Sequence, residues 1–302
     1  MPPKRSIQEL PVPSTLSGFT LIELLVTLLI TSVMMTATTT YFQSVVAARH
    51  NTSLTSEADQ GLRSLLQMVT QELRQAGACL TQLGQFITLE GVDDGTMDSL
   101  TLRIGRTHPD TGRCIQPAIP AGSSIDAGET SFPVADASGF QPGNLVYITP
   151  DSVNGDFYRV VDVSGTTLTI DRPLVDFTGG LNPSYEGAGV YPVDERTYAI
   201  DTSDSDHPVL TVSIDGGAPQ VLVVGVTVFN VRYVLGPCNP ACSGGTVDLP
   251  AGGGEWRLVR DVEIKAEVKS YHKDKNGDYQ YARTGLAGES GEYVSMKPRN
   301  LL

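Results

Sequence analysis

Basic side chains are scarce. Lys and Arg together number 21 against 34 Asp and Glu, a net charge of −13, and nowhere do they form a run. A nucleic-acid surface must neutralise phosphates with basic charge, so no nucleic-acid partner is expected. Phosphate-binding chemistry is missing too: no Gly-rich loop is followed by Lys-Ser or Lys-Thr, which speaks against ATP hydrolysis. No Gly-x-Ser-x-Gly elbow occurs. The four histidines, His50, His108, His207 and His272, are scattered and read as surface residues rather than catalytic bases. Asp274, Asn276 and Asp278 have part of a calcium-loop pattern, but the position that needs a bidentate acid holds Arg283. They read as a hairpin turn. Asp201, Asp204 and Asp206 read as a solvated acidic turn. No cofactor, metal or catalytic residue is therefore expected.

Cysteine is also sparse. Cys79, Cys114, Cys238 and Cys242 form an even set, which fits pairing in an oxidising compartment. Metal binding is the rival, but a lone Cys-x-x-x-Cys lacks the two-knuckle spacing of a zinc site. Of the three possible connectivities, the expected one joins Cys79 to Cys114 and Cys238 to Cys242.

What the chain does have is one long apolar run. Residues 1–18 include Lys4 and Arg5 but no hydrophobic stretch, so a secretory signal is not expected there. From Phe19 to Ala48 the only charged side chain is Glu23. A helix needs about 20 apolar residues to span a bilayer, and this run suffices. Thr36–Thr40 dilute it, so the membrane part should end near Tyr41. A plain anchor with Lys4 and Arg5 inside accounts for the span. It leaves Glu23 unexplained, because a carboxylate at mid-membrane costs roughly 2.5–3.5 kcal/mol.

The segment Gly18-Phe19-Thr20-Leu21-Ile22-Glu23-Leu24-Leu25 resembles the type IV prepilin signature. The resemblance implies cleavage between Gly18 and Phe19 by a prepilin peptidase, with methylation of the new Phe19 amine. It makes Glu23 an assembly residue. A buried carboxylate needs a cationic partner, and a neighbouring subunit's Phe19 amine can supply it.

Beyond the membrane run, Leu54, Ala58, Leu62, Leu65, Val69, Leu73 and Ala76 recur at three- and four-residue steps, an amphipathic stripe. Gly77 reads as the helix stop. With no proline from Phe19 to Gly77, the helix could run about 85–90 Å at 1.5 Å per residue. After Gly77 the helical period gives way to β-branched runs at Leu100–Ile104, Tyr198–Ile200, Val209–Ile214, Val221–Val224, Val226–Val234 and Val259–Tyr271. Asp215-Gly216-Gly217 and Asn276-Gly277 are hairpin turns. An α+β domain is expected, with an antiparallel sheet packed on the helix as in the pilin fold. Short strands at Ser131–Val134, Leu145–Thr149, Asp156–Val163 and Thr167–Ile170 suggest an inserted, barrel-like β module at about 120–195.

The expected organisation is thus a leader at 1–18, a membrane and filament-core helix at 19–41, and an amphipathic helix at 42–77. A β-rich domain at 78–302 follows. Gln71–Gly77 and Val228–Tyr233 are similar to PilW-like minor pilins and to the J-type pseudopilins of type II secretion, and the ending Val294–Leu301 is similar to the terminal strand of PilW-like proteins. That likeness implies a structural subunit rather than an enzyme: a minor pilin aiding filament initiation, possibly at the tip. The alternatives are a minor pseudopilin of type II secretion, a DNA-uptake pilus subunit, or an adhesin-like tip module whose ligand the sequence does not name. Its partners would be other pilins, the prepilin peptidase and the inner membrane. It would cross that membrane once, with its C-terminal domain in the periplasm, before entering a surface pilus.

Overall fold

A computed structural model of the chain describes residues 19–80, 86–108, 110–123, 125–151, 153–178, 184–237, 245–284 and 292–298. The chain divides into two compact units, Met1–Asn51 and Thr52–Leu302. A single helix, α1 (Leu21–Gln75), contributes to both.

In the first unit the apolar side chains from Phe19 to Met35, and Tyr41, Phe42 and Val46, are exposed. The Ser and Thr hydroxyls that dilute this run are satisfied within the helix itself. Thr27 donates to the Glu23 carbonyl at 2.9 Å, Thr31 to Thr27, Thr36 to Ser32 and Thr40 to Thr36. Thr38 and Thr39 bond back in the same way to Met34 and Met35. Such back-bonding hides polar groups that an apolar medium would otherwise leave unpaired. The helix is long and apolar enough to cross a membrane.

In the second unit, the stripe Leu54, Ala58, Leu62, Leu65, Val69 and Leu73 is buried. Fully burying one such leucine is worth about 1.5–3 kcal/mol. The helix stops where expected: Gly77 takes a left-handed φ of 76°, and its N–H donates to the Arg103 carbonyl at 2.9 Å.

The β-elements follow in order as β1 (Leu89–Val92), β2 (Ser99–Gly105), β3 (Ser131–Pro133), β4 (Leu145–Thr149) and β5 (Asp156–Ser164). Next come β6 (Thr167–Ile170), β7 (Gly189–Asp201), β8 (Val209–Ile214), β9 (Gln220–Val224) and β10 (Val226–Leu235). The chain continues through β11 (Thr246–Val247), the short helix α2 (Gly252–Trp256), β12 (Val259–Lys269), β13 (Tyr281–Arg283) and β14 (Val294–Met296). One sheet runs β1-β2-β7-β4-β5-β6-β3, with β8 and β9 continuing from β7; the other runs β11-β10-β12-β13, with β14 also on β12. Every named strand pair is antiparallel.

The helix stripe and both sheets share one core, which includes Leu65, Leu100, Leu210, Phe229, Val231 and Ile264. A second core, with Ile119, Phe132, Val146, Tyr158, Leu168 and Tyr185, lies under β3 to β6. β7 serves both regions. Its residues 189–193 pair with β4, 193–198 with β2 and 196–201 with β8, so the shift of sequence character near residue 195 falls inside one continuous strand.

Candidate functional site

At the start of α1, Thr20 and Glu23 share three hydrogen bonds. The Thr20 N–H and hydroxyl both donate to Glu23 Oε2 at 3.2 Å, and the Glu23 N–H donates to Thr20 Oγ1 at 3.3 Å. This reciprocal pair is a capping box, which satisfies two of the N–H groups that a helix start leaves unpaired. The carboxylate also sits where the helix dipole favours negative charge. The signal, Thr-x-x-Glu ahead of an apolar run, is legible in the sequence. Sequence reasoning gave Glu23 a partner in another subunit and missed the one three residues away. Phe19 next to it is 84% exposed; Gly18 lies outside the described residues.

At the far end of α1, Cys79 and Cys114 form a disulfide with their Cα atoms 5.1 Å apart. Cys79 has a left-handed φ of 59°. Its carbonyl accepts the Gln116 side-chain amide at 3.3 Å, and the Gly105 N–H donates to the Ala78 carbonyl at 2.8 Å. Gly105 is required there, since a Cβ would stand 2.7 Å from the Cys79 oxygen. Cys238 and Cys242 lie outside the described residues.

The histidines are not all apart. His207 stacks on Tyr271 at 4.3 Å, and His272 meets the same ring edge-on at 4.9 Å. His207 Nδ1 also lies 3.1 Å from Asp204 Oδ2. In the 274–278 turn, the Asp274 carboxylate accepts the backbone N–H groups of Asn276 and Asp278 at 2.8 and 3.0 Å. Among the described residues, no three His, Cys, Asp or Glu side chains gather as a metal site.

Two open clefts lie in the second unit. One, of about 590 Å³, runs between α1 (Leu66, Thr70, Arg74) and β14 (Val294, Met296). The other, of about 600 Å³, lies beside the disulfide and is lined by Arg106, Asp194 and Arg196. Its guanidinium groups are already engaged: Arg106 with Asp194 and Asp215, Arg196 with Glu72.

Residues 17–39 match the prokaryotic N-terminal methylation motif. The motif, with its apolar helix, supports a subunit of the type IV pilin-like or pseudopilin type that a prepilin peptidase processes and that assembles with other pilins. The long helix followed by antiparallel sheets is consistent with that layout. No curated protein matches the chain. Among solved structures, the Gp54 tailspike of Acinetobacter baumannii bacteriophage AP22, in complex with A. baumannii capsular saccharide, is 21% identical. The likeness covers 31% of this chain and 15% of the tailspike chain, with a TM-score of 0.22, and carries no argument.

Proposed function

We propose that the chain is a minor pilin of the PilW-like kind, a structural subunit that helps start assembly of a type IV pilus, at or near its tip. The observation that carries this reading is the methylation motif at 17–39, in which a single acid, Glu23, stands in an exposed apolar helix. Cleavage between Gly18 and Phe19 would leave a methylated Phe19 amine. That cation, on a neighbouring subunit, is the partner for Glu23 once the helix leaves the membrane for the filament interior. A buried ion pair of this kind sets register more than it adds stability. Residues 19–41 would hold the subunit in the inner membrane until assembly, with the β-rich domain in the periplasm. No covalent chemistry is assigned to the protein.

A pseudopilin of type II secretion would carry the same motif. Deleting the gene separates the two. A minor pilin predicts loss of surface filaments with secretion intact, and recovery of the processed chain in sheared filaments. Normal piliation together with failed protein export would overturn the pilus reading in favour of the secretion one.

A further inference from the structure

The cleft beside the disulfide is assembled from distant parts of the chain. Gln75 ends α1, Thr107 follows β2, Gln141 precedes β4 and Arg196 lies within β7. The disulfide from Cys79 to Cys114 fastens the helix end to the segment that carries Ile115, so the opposing walls are held together. Its volume of about 600 Å³ is that of a small-molecule site.

Arg196 has a donor to spare. The only hydrogen bond of its guanidinium among the described residues runs from Nη1 to Glu72. Nε is buried and has no partner. Nε–H and one N–H of Nη2 form the side edge of the guanidinium fork; Nη1 is outside that edge, so Glu72 leaves it open. A buried donor left unsatisfied is costly, and an acceptor is called for there.

That acceptor need not carry charge. Glu72 already neutralises Arg196, and Asp194 and Asp215 face Arg106. A further carboxylate would join a chain whose net charge is −13. The rest of the lining suits a neutral ligand. Gln75, Thr107 and Gln141 are exposed, and their side chains have no partner among the described residues. Amides and hydroxyls both donate and accept, and Ile104 and Ile115 add apolar surface beside them. No backbone edge is free for a peptide strand, because β2 and β7 are each paired on both sides.

We propose that this cleft binds a neutral, hydroxyl-rich ligand, a sugar unit. Adjacent ligand oxygens accept from Nε and Nη2 of Arg196, while Gln75, Thr107 and Gln141 bond its other hydroxyls. The site stands independently of the assembly in which the chain serves.

The test uses the full chain in a detergent without sugar headgroups. Glucose, galactose and N-acetylglucosamine are the probes, read by saturation-transfer NMR, and at least one should bind. Arg196→Lys keeps the charge opposite Glu72 but lacks the fork, and should weaken binding about fivefold or more. Gln75→Ala with Gln141→Ala, at exposed positions, should weaken it about as much with an unchanged unfolding midpoint. Glucuronate should bind more weakly than glucose. No transfer to any of the three probes overturns the proposal. So does binding that survives either variant, which places the sugar elsewhere. Glucuronate binding more tightly than every neutral probe also overturns it.

Discussion

Glu23 is held by Thr20: its Oε2 accepts both the N–H and the hydroxyl of Thr20 at 3.2 Å. One carboxylate oxygen is thereby engaged at the helix start. In the proposed filament, the neighbouring Phe19 amine would approach a group already oriented by its own helix. Replacing Thr20 with Val removes the hydroxyl but keeps the N–H and the shape. Losing such a cap costs about 1 kcal/mol, so the first-turn amides should exchange roughly fivefold faster. Hydrogen exchange of the detergent-solubilised chain measures this; unchanged protection at Glu23 and Leu24 would show that the hydroxyl contributes nothing.

Asp98 is a buried carboxylate that ties the β1–β2 turn to β10. It accepts the Val231 N–H at 2.7 Å and the Asp94 N–H at 3.0 Å. Burial raises its pKa above the usual 3.8, outweighing the two hydrogen bonds that pull it down. A folded-state pKa above the unfolded one means that the folded form binds the proton more tightly. This group's contribution to stability is therefore full below pH 3.8 and is lost as pH rises through the folded value. Carboxyl NMR titration should give a midpoint above 3.8. Asp98→Ala strands two N–H donors and should cost about 2–4 kcal/mol in denaturant unfolding.

Two glycines with left-handed φ should respond unequally to alanine. Gly277 (φ 90°) sits in a turn with open space around it, so Gly277→Ala should cost only the conformational penalty, about 1–2 kcal/mol. Gly225 (φ 83°) is where the chain leaves β9 and enters β10 of the other sheet, and a Cβ there would overlap the Lys269 carbonyl oxygen. Gly225→Ala adds overpacking to the same penalty and should cost about 3 kcal/mol or more. Equal losses in denaturant unfolding would contradict this packing.

The disulfide between Cys79 and Cys114 closes a loop with a sequence separation of 35. Loop-closure entropy gives it about 3–4 kcal/mol, by restricting the unfolded chain. Cys79→Ser with Cys114→Ser should lower the unfolding midpoint accordingly. A double variant as stable as the wild type would show that the helix end is held without it.

The sequence was most readable where one rule governed. Period-3.6 burial marks Leu54 to Leu73, and the expected runs became β2, β3, β4, β5, β6, β8, β9, β10 and β12. The N-terminal half of β7 was hidden because charge sits at its centre. Asp194, Glu195 and Arg196 are weak β-formers by composition, yet they pair with Arg106, Arg103 and Glu72. Only Tyr198–Ile200 carried a strand signal. β1, with Glu90 and Gly91, and the two- or three-residue β11 and β13 hold too few β-formers to register. α2 begins Gly252-Gly253-Gly254, the poorest helix composition after proline, and has no side-chain cap.

The assembly role proposed for Glu23 would be separable from folding and processing. Glu23→Ala should still be cleaved and should keep its β-rich domain. It should fail to enter filaments, because removing one partner of a buried pair costs about 3–5 kcal/mol. That is about two to three powers of ten in association. Pull-down of other minor pilins, with cleavage scored in the same strain, checks it. Wild-type incorporation would make the pairing dispensable.

The most direct measurement is the intact mass of the chain extracted from membranes of cells with an active prepilin peptidase. The account predicts loss of residues 1–18 and one methyl group on Phe19. A chain that keeps its first 18 residues, or is cut elsewhere, would contradict it.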